Sequence, residues 1–276
     1  MRFGPILLRG QQAPTKTHYE VLLEAISFKK NIFVEKPITF TVDEAEKIYK
    51  LVEKEKVYLQ VGFMRRFDKG HIAAKQMIES GEIGEPIYVH DCQRDPCGPP
   101  KHYVPESGGL FVDMAIHDLD CVRWLMNSEI LQIYAQGAVL KHDYLKEMND
   151  IDEGHMLLTF ANNKLGDIEI SRNANNIYDV RTEIIGTKGS VFIGQNQLLP
   201  YVTVNSNGIT TRIANWCLDR FKDAYEQEIQ TFIESIIEGK ESPVNAYDGM
   251  IALKLANIAK QSYDERRPID ITYQNY

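Results

Sequence analysis

The sequence predicts an α/β fold joined to an α+β one: an incomplete Rossmann-type parallel sheet, then a domain with a large, mostly antiparallel open sheet covered by helices. Up to residue 62, strand and helix patterns alternate with short connections, the rhythm of parallel winding. From residue 86 strand patterns dominate, and Asp167-Ile168-Glu169-Ile170 alternates polar with apolar, as a sheet with one packed face requires. Two long helical patterns close the chain. The expected division is residues 1–66 and 67–276, with the last helices and strand packing back on the first part.

The elements follow in order. Val21, Leu22, Ala25 and Ile26 recur at helical spacing and predict a helix over 18–28. Residues 31–34 form a short apolar strand ended by Glu35-Lys36-Pro37. Thr41-Val42-Asp43-Glu44 is a capping box, in which Thr41 accepts an orphan amide and Glu44 reaches back. It opens a helix with Ala45, Ile48, Leu51 and Val52 on its inner face. Residues 57–61 make the next strand, closed by Gly62, and a helix over 69–80 stops at Gly81, the usual place for a residue at positive φ. A strand is expected at 86–91, a helix at 109–126, and between them 95–107 is a Pro/Gly-rich loop too long for a simple connector. Strands are expected at 131–136, 155–160, 165–171, 181–185, 191–193 and 201–205. Helices at 218–238 and 247–261 and a strand at 269–272 complete the chain.

Composition narrows the function. The 276 residues carry a net charge of −8, which repels a phosphate backbone or an anionic membrane, so no nucleic-acid or membrane partner is expected. A neutral, hydroxyl-rich small molecule suits that balance better. Cys92, Cys97, Cys121 and Cys217 show no C-x-x-C spacing, and with His90 and His102 they match no common zinc site, so no metal is expected. The apolar run Ile6-Leu7-Leu8 is too short for a signal peptide, and the expected location is the cytoplasm.

Three segments carry chemistry. Glu35-Lys36-Pro37 follows a strand, where open α/β sheets bind their ligands, and Pro37 restricts the turn that holds Lys36. Asp113 and His117 stand four apart on a helix, which predicts that the carboxylate orients the imidazole and raises its basicity. Val61-Gly62-Phe63-Met64-Arg65-Arg66-Phe67 follows another strand, and by itself its arginine pair reads as a solvated basic step.

Strand–EKP, strand–GFMRR and a buried helix with D-x-x-x-H, in that order, resemble the Gfo/Idh/MocA family of oxidoreductases. Gln60 to Asp68, Gly84-Glu85-Pro86-Ile87, Tyr178-Asp179-Val180, Glu183 to Gly186 and Ala224 to Ile233 are similar to its inositol 2-dehydrogenase branch. The resemblance runs from about Ala13 to the last helix. It implies that residues 1–66 are the remainder of a dinucleotide-binding domain and 67–276 a substrate-binding and oligomerisation domain. It further implies NAD or NADP as cofactor, hydride exchange with a secondary alcohol of a cyclic polyol or sugar, and a homo-oligomer, dimer or tetramer. Lys36 would contact the reacting hydroxyl and the nicotinamide ribose, His117 would be the general base, and Asp113 would bind substrate and tune His117. Met64, Arg65, Asp95 and Tyr178 would bind substrate; Pro14, Thr15, His18, Glu35 and Lys36 would meet the cofactor. His71, His90, His102, His142 and His155 are expected to be structural or at the surface.

Two positions depart from the family: Met114 replaces a small hydroxyl residue and Asp95 an asparagine, which points to a substrate other than myo-inositol. The chain also contains no G-x-G-x-x-G, the fingerprint that grips a dinucleotide pyrophosphate. In the family it lies before the Ala13 loop in two strand–helix units, on the order of 60 residues. The expectation is a truncated product, with residues 1–12 foreign to the family pattern and an apolar strand edge exposed near residues 6–8. Such a chain would bind nicotinamide dinucleotide poorly. The alternative is a non-catalytic product acting only through its sheet domain.

Overall fold

The computed structural model describes residues 7–8, 15–175, 177–194, 203–206, 208–211 and 213–273. Strands β1 (Leu7–Leu8), β2 (Ile32–Glu35) and β3 (Leu59–Gly62) form a small parallel sheet in that order. Helices α1 (His18–Ser27) and α2 (Val42–Glu55) connect them. The Thr41/Glu44 capping box is formed, and Ala45, Ile48 and Val52 are buried, with Leu51 half-buried. Pro14, Ile6 and most of residues 1–12 lie outside the described residues, as do Tyr201 and Val202.

Helix α3 (Lys69–Glu79) is capped by Asp68, which accepts from the His71 amide, and it ends before Gly81. Then come β4 (Pro86–Arg94), a short α4 (Val104–Ser107), and a π-helical turn, Phe111–Ala115, that runs directly into α5 (Ile116–Met126). Strands β5 (Ile130–Ala138), β6 (Glu153–Phe160), β7 (Leu165–Ser171), β8 (Asp179–Gly186) and β9 (Ser190–Ile193) follow. A hairpin of β10 (Thr203–Asn205) and β11 (Gly208–Thr210) precedes α6 (Cys217–Glu238), α7 (Ala246–Glu265) and β12 (Ile269–Asp270).

The large sheet has the order β12-β5-β6-β7-β4-β8-β9, and only its β4–β7 pair is parallel. Register sorts its faces. Ala135, Met156, Ile168, Asp91, Thr182 and Ile193 stand in one row toward the helices, while Tyr134, Leu157, Asp167, His90, Glu183 and Phe192 stand in a row on the outer face. Helix α7 packs on α2 and β3 of the first part and on α5 and β5 of the second. Gly249 permits that approach: a Cβ there would lie 2.9 Å from Val61 Cγ2. One apolar core therefore runs from Leu22 to Ile271.

Three sequence expectations need correction. The predicted strand 86–91 continues to Arg94, because Gln93 accepts from the buried Arg65 and Arg94 donates to Glu169. The predicted loop 95–107 contains α4. The predicted single helix 109–126 starts with the π turn, a change of pitch that leaves no periodicity to read. No helix among the described residues is long and apolar enough to cross a membrane.

Candidate active site

Strand β2 ends in Glu35 and delivers Lys36 through a cis Lys36–Pro37 bond at the carboxyl end of the parallel sheet. His18, at the start of α1, donates from Nδ1 to the Pro37 carbonyl at 3.0 Å and ties this turn to the first helix. Thr15 lies just before, in the 3-10 turn Thr15–Thr17. Strand β3 ends in Gly62 and leads through Phe63 to Met64.

These ends meet the π turn and the loop after β4 around a cleft of about 590 Å³. Of the residues expected in the site, Lys36, Met64, Asp95, Asp113, Met114, His117 and Tyr178 line it. Two distant parts of the chain thus supply an ammonium group and an imidazole to one cavity.

Asp113 is held from three sides. Its Oδ1 accepts from the Tyr103 hydroxyl at 2.9 Å and its Oδ2 from Arg172 at 3.2 Å. Lys36 Nζ lies 3.6 Å from Oδ1 and donates to the Asp113 carbonyl at 2.7 Å. Arg172 also binds Asp150 at 2.8 Å, and Asp150 caps the turn by accepting from the Leu110 amide at 2.8 Å.

The expected Asp113–His117 couple does not form. The π turn separates residues that an α-helix would stack, and Asp113 spends its oxygens on Tyr103, Arg172 and Lys36. His117 Nδ1 is buried with no partner among the described residues, and its ring sits edge-on to Phe63, with centroids 5.9 Å apart. Burial, and then the charges of Lys36 and Arg65, hold the His117 pKa well below the ordinary histidine value. The imidazole is neutral at pH 7, kept so by burial and cations, and Asp113 does not raise its basicity.

Arg65 does not line the cleft. It is 1% exposed and bridges Asp91 at 2.9 Å and Asp118 at 2.8 Å, and it reaches the cavity only by donating to Gln93 at 2.6 Å. A buried guanidinium requires such partners, and Asp91 and Gln93 alternate onto the same inner face of β4. Arg66 is buried on Asp120 and Asp248, so neither arginine is a solvated step.

Glu35 stands behind Lys36, and burial pushes its carboxyl up to about 7 against the pull of Lys36. Asp95 is pushed up to about 7 by burial and then by Asp113, while Arg172 and Lys36 draw it down. Pro14 lies outside the described residues.

Sequence reasoning missed Arg172, Tyr103, Trp216, Cys217 and Tyr225, all on the cleft wall, and it placed His102 away from the site although His102 lines the cleft. The signal for Arg172 is its position directly after Ser171, at the end of an apolar strand. Tyr103 and Trp216 come from segments without periodicity, while Cys217 and Tyr225 belong to the predicted helix at 218–238 and its start, whose spacing does not show which face meets the cleft.

An oxidoreductase family model for an NAD-binding Rossmann fold matches residues 12–63, and one for the C-terminal α/β domain matches residues 75–271. An uncharacterized oxidoreductase of Bacillus subtilis is 40% identical over 95% of this chain and 77% of its own length. The NAD(+)-dependent scyllo-inositol 2-dehydrogenase of the same organism is 36% identical over 94% of this chain and 75% of its own. The structure of scyllo-inositol dehydrogenase from Lactobacillus casei with bound NAD(H) and scyllo-inositol superposes with a TM-score of 0.88 at 29% identity, covering 94% of this chain and 78% of that one. With the strand-end lysine and the helix-borne histidine facing one cleft, these matches place the chain in the Gfo/Idh/MocA family of oxidoreductases.

Proposed function

We propose that this cleft exchanges a hydride between a nicotinamide cofactor and a secondary alcohol of a cyclic polyol or a sugar. The observation that carries the reading is the convergence of Lys36, Asp113 and His117 on one cavity. A nicotinamide cofactor would be held at the carboxyl edge of β2 by Thr15, His18, Glu35 and Lys36, and when bound it would accept or return the hydride.

The chain's own groups account for the proton and the charge. Neutral His117 takes the hydroxyl proton as the C–H bond breaks, a role typically worth about 10²–10⁴-fold. The Lys36 ammonium, fixed by the Asp113 carbonyl, faces the oxygen where negative charge develops. Asp113, anchored by Tyr103 and Arg172, offers a fixed acceptor edge to a neighbouring hydroxyl. The test is a polyol and sugar screen with NAD⁺ and NADP⁺, read by absorbance of the reduced nicotinamide. His117→Ala should lower kcat/KM by about two orders of magnitude; turnover at the parent rate would remove His117 from the mechanism.

Assembly belongs to the same reading. The outer sheet face exposes Leu157, Leu165, Ile185 and Phe192, which suits association with a second copy of this chain.

A further inference from the structure

Two aspartates face the cleft in opposite electrostatic states. Asp113 is occupied by Tyr103, Arg172 and Lys36. Asp95 has its main chain pinned, its amide donating to the Ser171 carbonyl at 2.8 Å and its carbonyl accepting from Ala174 at 3.1 Å. Yet among the described residues no hydrogen bond or ion pair reaches its carboxylate. Arg172, a cation that acts on Asp95, gives its terminal nitrogens to Asp113 and Asp150. Asp95, Asp113 and Asp150 therefore share the two cations Lys36 and Arg172, and His117 is neutral. The carboxylate left without a cation of its own is the one with unused acceptor positions.

A half-buried carboxylate on a cleft wall that no protein donor reaches keeps acceptor positions that a ligand can complete. A neutral diol would supply hydrogen bonds and leave the charge. An ammonium supplies both hydrogen bonds and the missing countercharge. On the reading of this cleft as a polyol site, we propose that Asp95 selects a polyol or sugar ring bearing a primary ammonium group, seated on Asp95 while a ring hydroxyl meets Lys36 and His117.

The state of Asp95 supplies a readout independent of turnover. With its pKa pushed up to about 7, Asp95 is partly protonated in the unliganded molecule at pH 7. An ammonium lowers that pKa and expels the proton, so binding at pH 7 releases protons. A neutral polyol, bringing no charge, releases far less.

The experiment is calorimetric titration of the full chain at pH 7 with scyllo-inosamine and with scyllo-inositol, in two buffers of different protonation enthalpy, for the parent and Asp95→Asn. The parent should bind the amine about ten-fold tighter, with proton release. Asp95→Asn should bind the two ligands alike, with no buffer dependence. Equal affinities in the parent, or a preference that survives Asp95→Asn, would overturn the assignment to Asp95 and leave the polyol site standing. Binding of neither ligand would overturn the polyol site and this proposal with it. Should the variant fail to fold, the parent's affinities decide: equal binding of the amine and the neutral polyol overturns the proposal.

Discussion

Glu228 is 1% exposed, and its Oε2 has no partner among the described residues. Burial and then Glu35 push its carboxyl up to about 9. Glu35 itself is pushed up to about 7 by burial. Both folded values exceed the usual 4.5, so the native chain holds protons that the unfolded chain releases. Their favourable contribution is complete below about pH 4.5 and is lost as pH rises through about 7 and 9. Glu228→Gln should remove much of that slope and stabilise the fold at pH 8 by about 1–3 kcal/mol. Urea denaturation at pH 5.5 and 8 checks this; an unchanged pH slope would refute it. At this scale Lys36 and His117 were legible because a strand end and an apolar helix announce buried positions. Arg172, Tyr103 and Glu228 were not, since their meaning lies in partners far away in sequence.

Among the elements, the π turn carries the most consequence. It points the Asp113 carbonyl at Lys36 and breaks the expected carboxylate–imidazole pair. Gly109, at φ +82°, sets the approach to it, and a Cβ there would lie 3.0 Å from Asp150 Oδ1. Gly109→Ala should cost about 1–3 kcal/mol of stability. It should also loosen Asp150's hold on Leu110 and Arg172, raising KM in the turnover assay above. A variant with parental stability and KM would show that the turn does not depend on this residue. Here the sequence reading succeeded where local chemistry is sufficient, as at the Thr41/Glu44 capping box. It failed where pitch changes within one apolar helix, because apolar residues all around leave no face to follow.

For the whole molecule one outcome is expected. The outer sheet face should drive self-association, and Leu157→Lys with Phe192→Lys should shift sedimentation toward the monomer; the same species distribution as the parent would exclude this face.

The linear sequence by itself settled the winding of the small sheet, the antiparallel bias of the large one and the strand-end position of Lys36. Those follow from periodicity, capping and turn chemistry, which act over a few residues. Only the folded chain decided that Arg65 is buried under the cleft on Asp91 and Asp118, that Asp113 turns to Arg172 and Tyr103, and that Asp95 is left unpaired. Charge pairing in a buried site depends on which carboxylates arrive there from separate strands and helices, and local spacing does not encode that count.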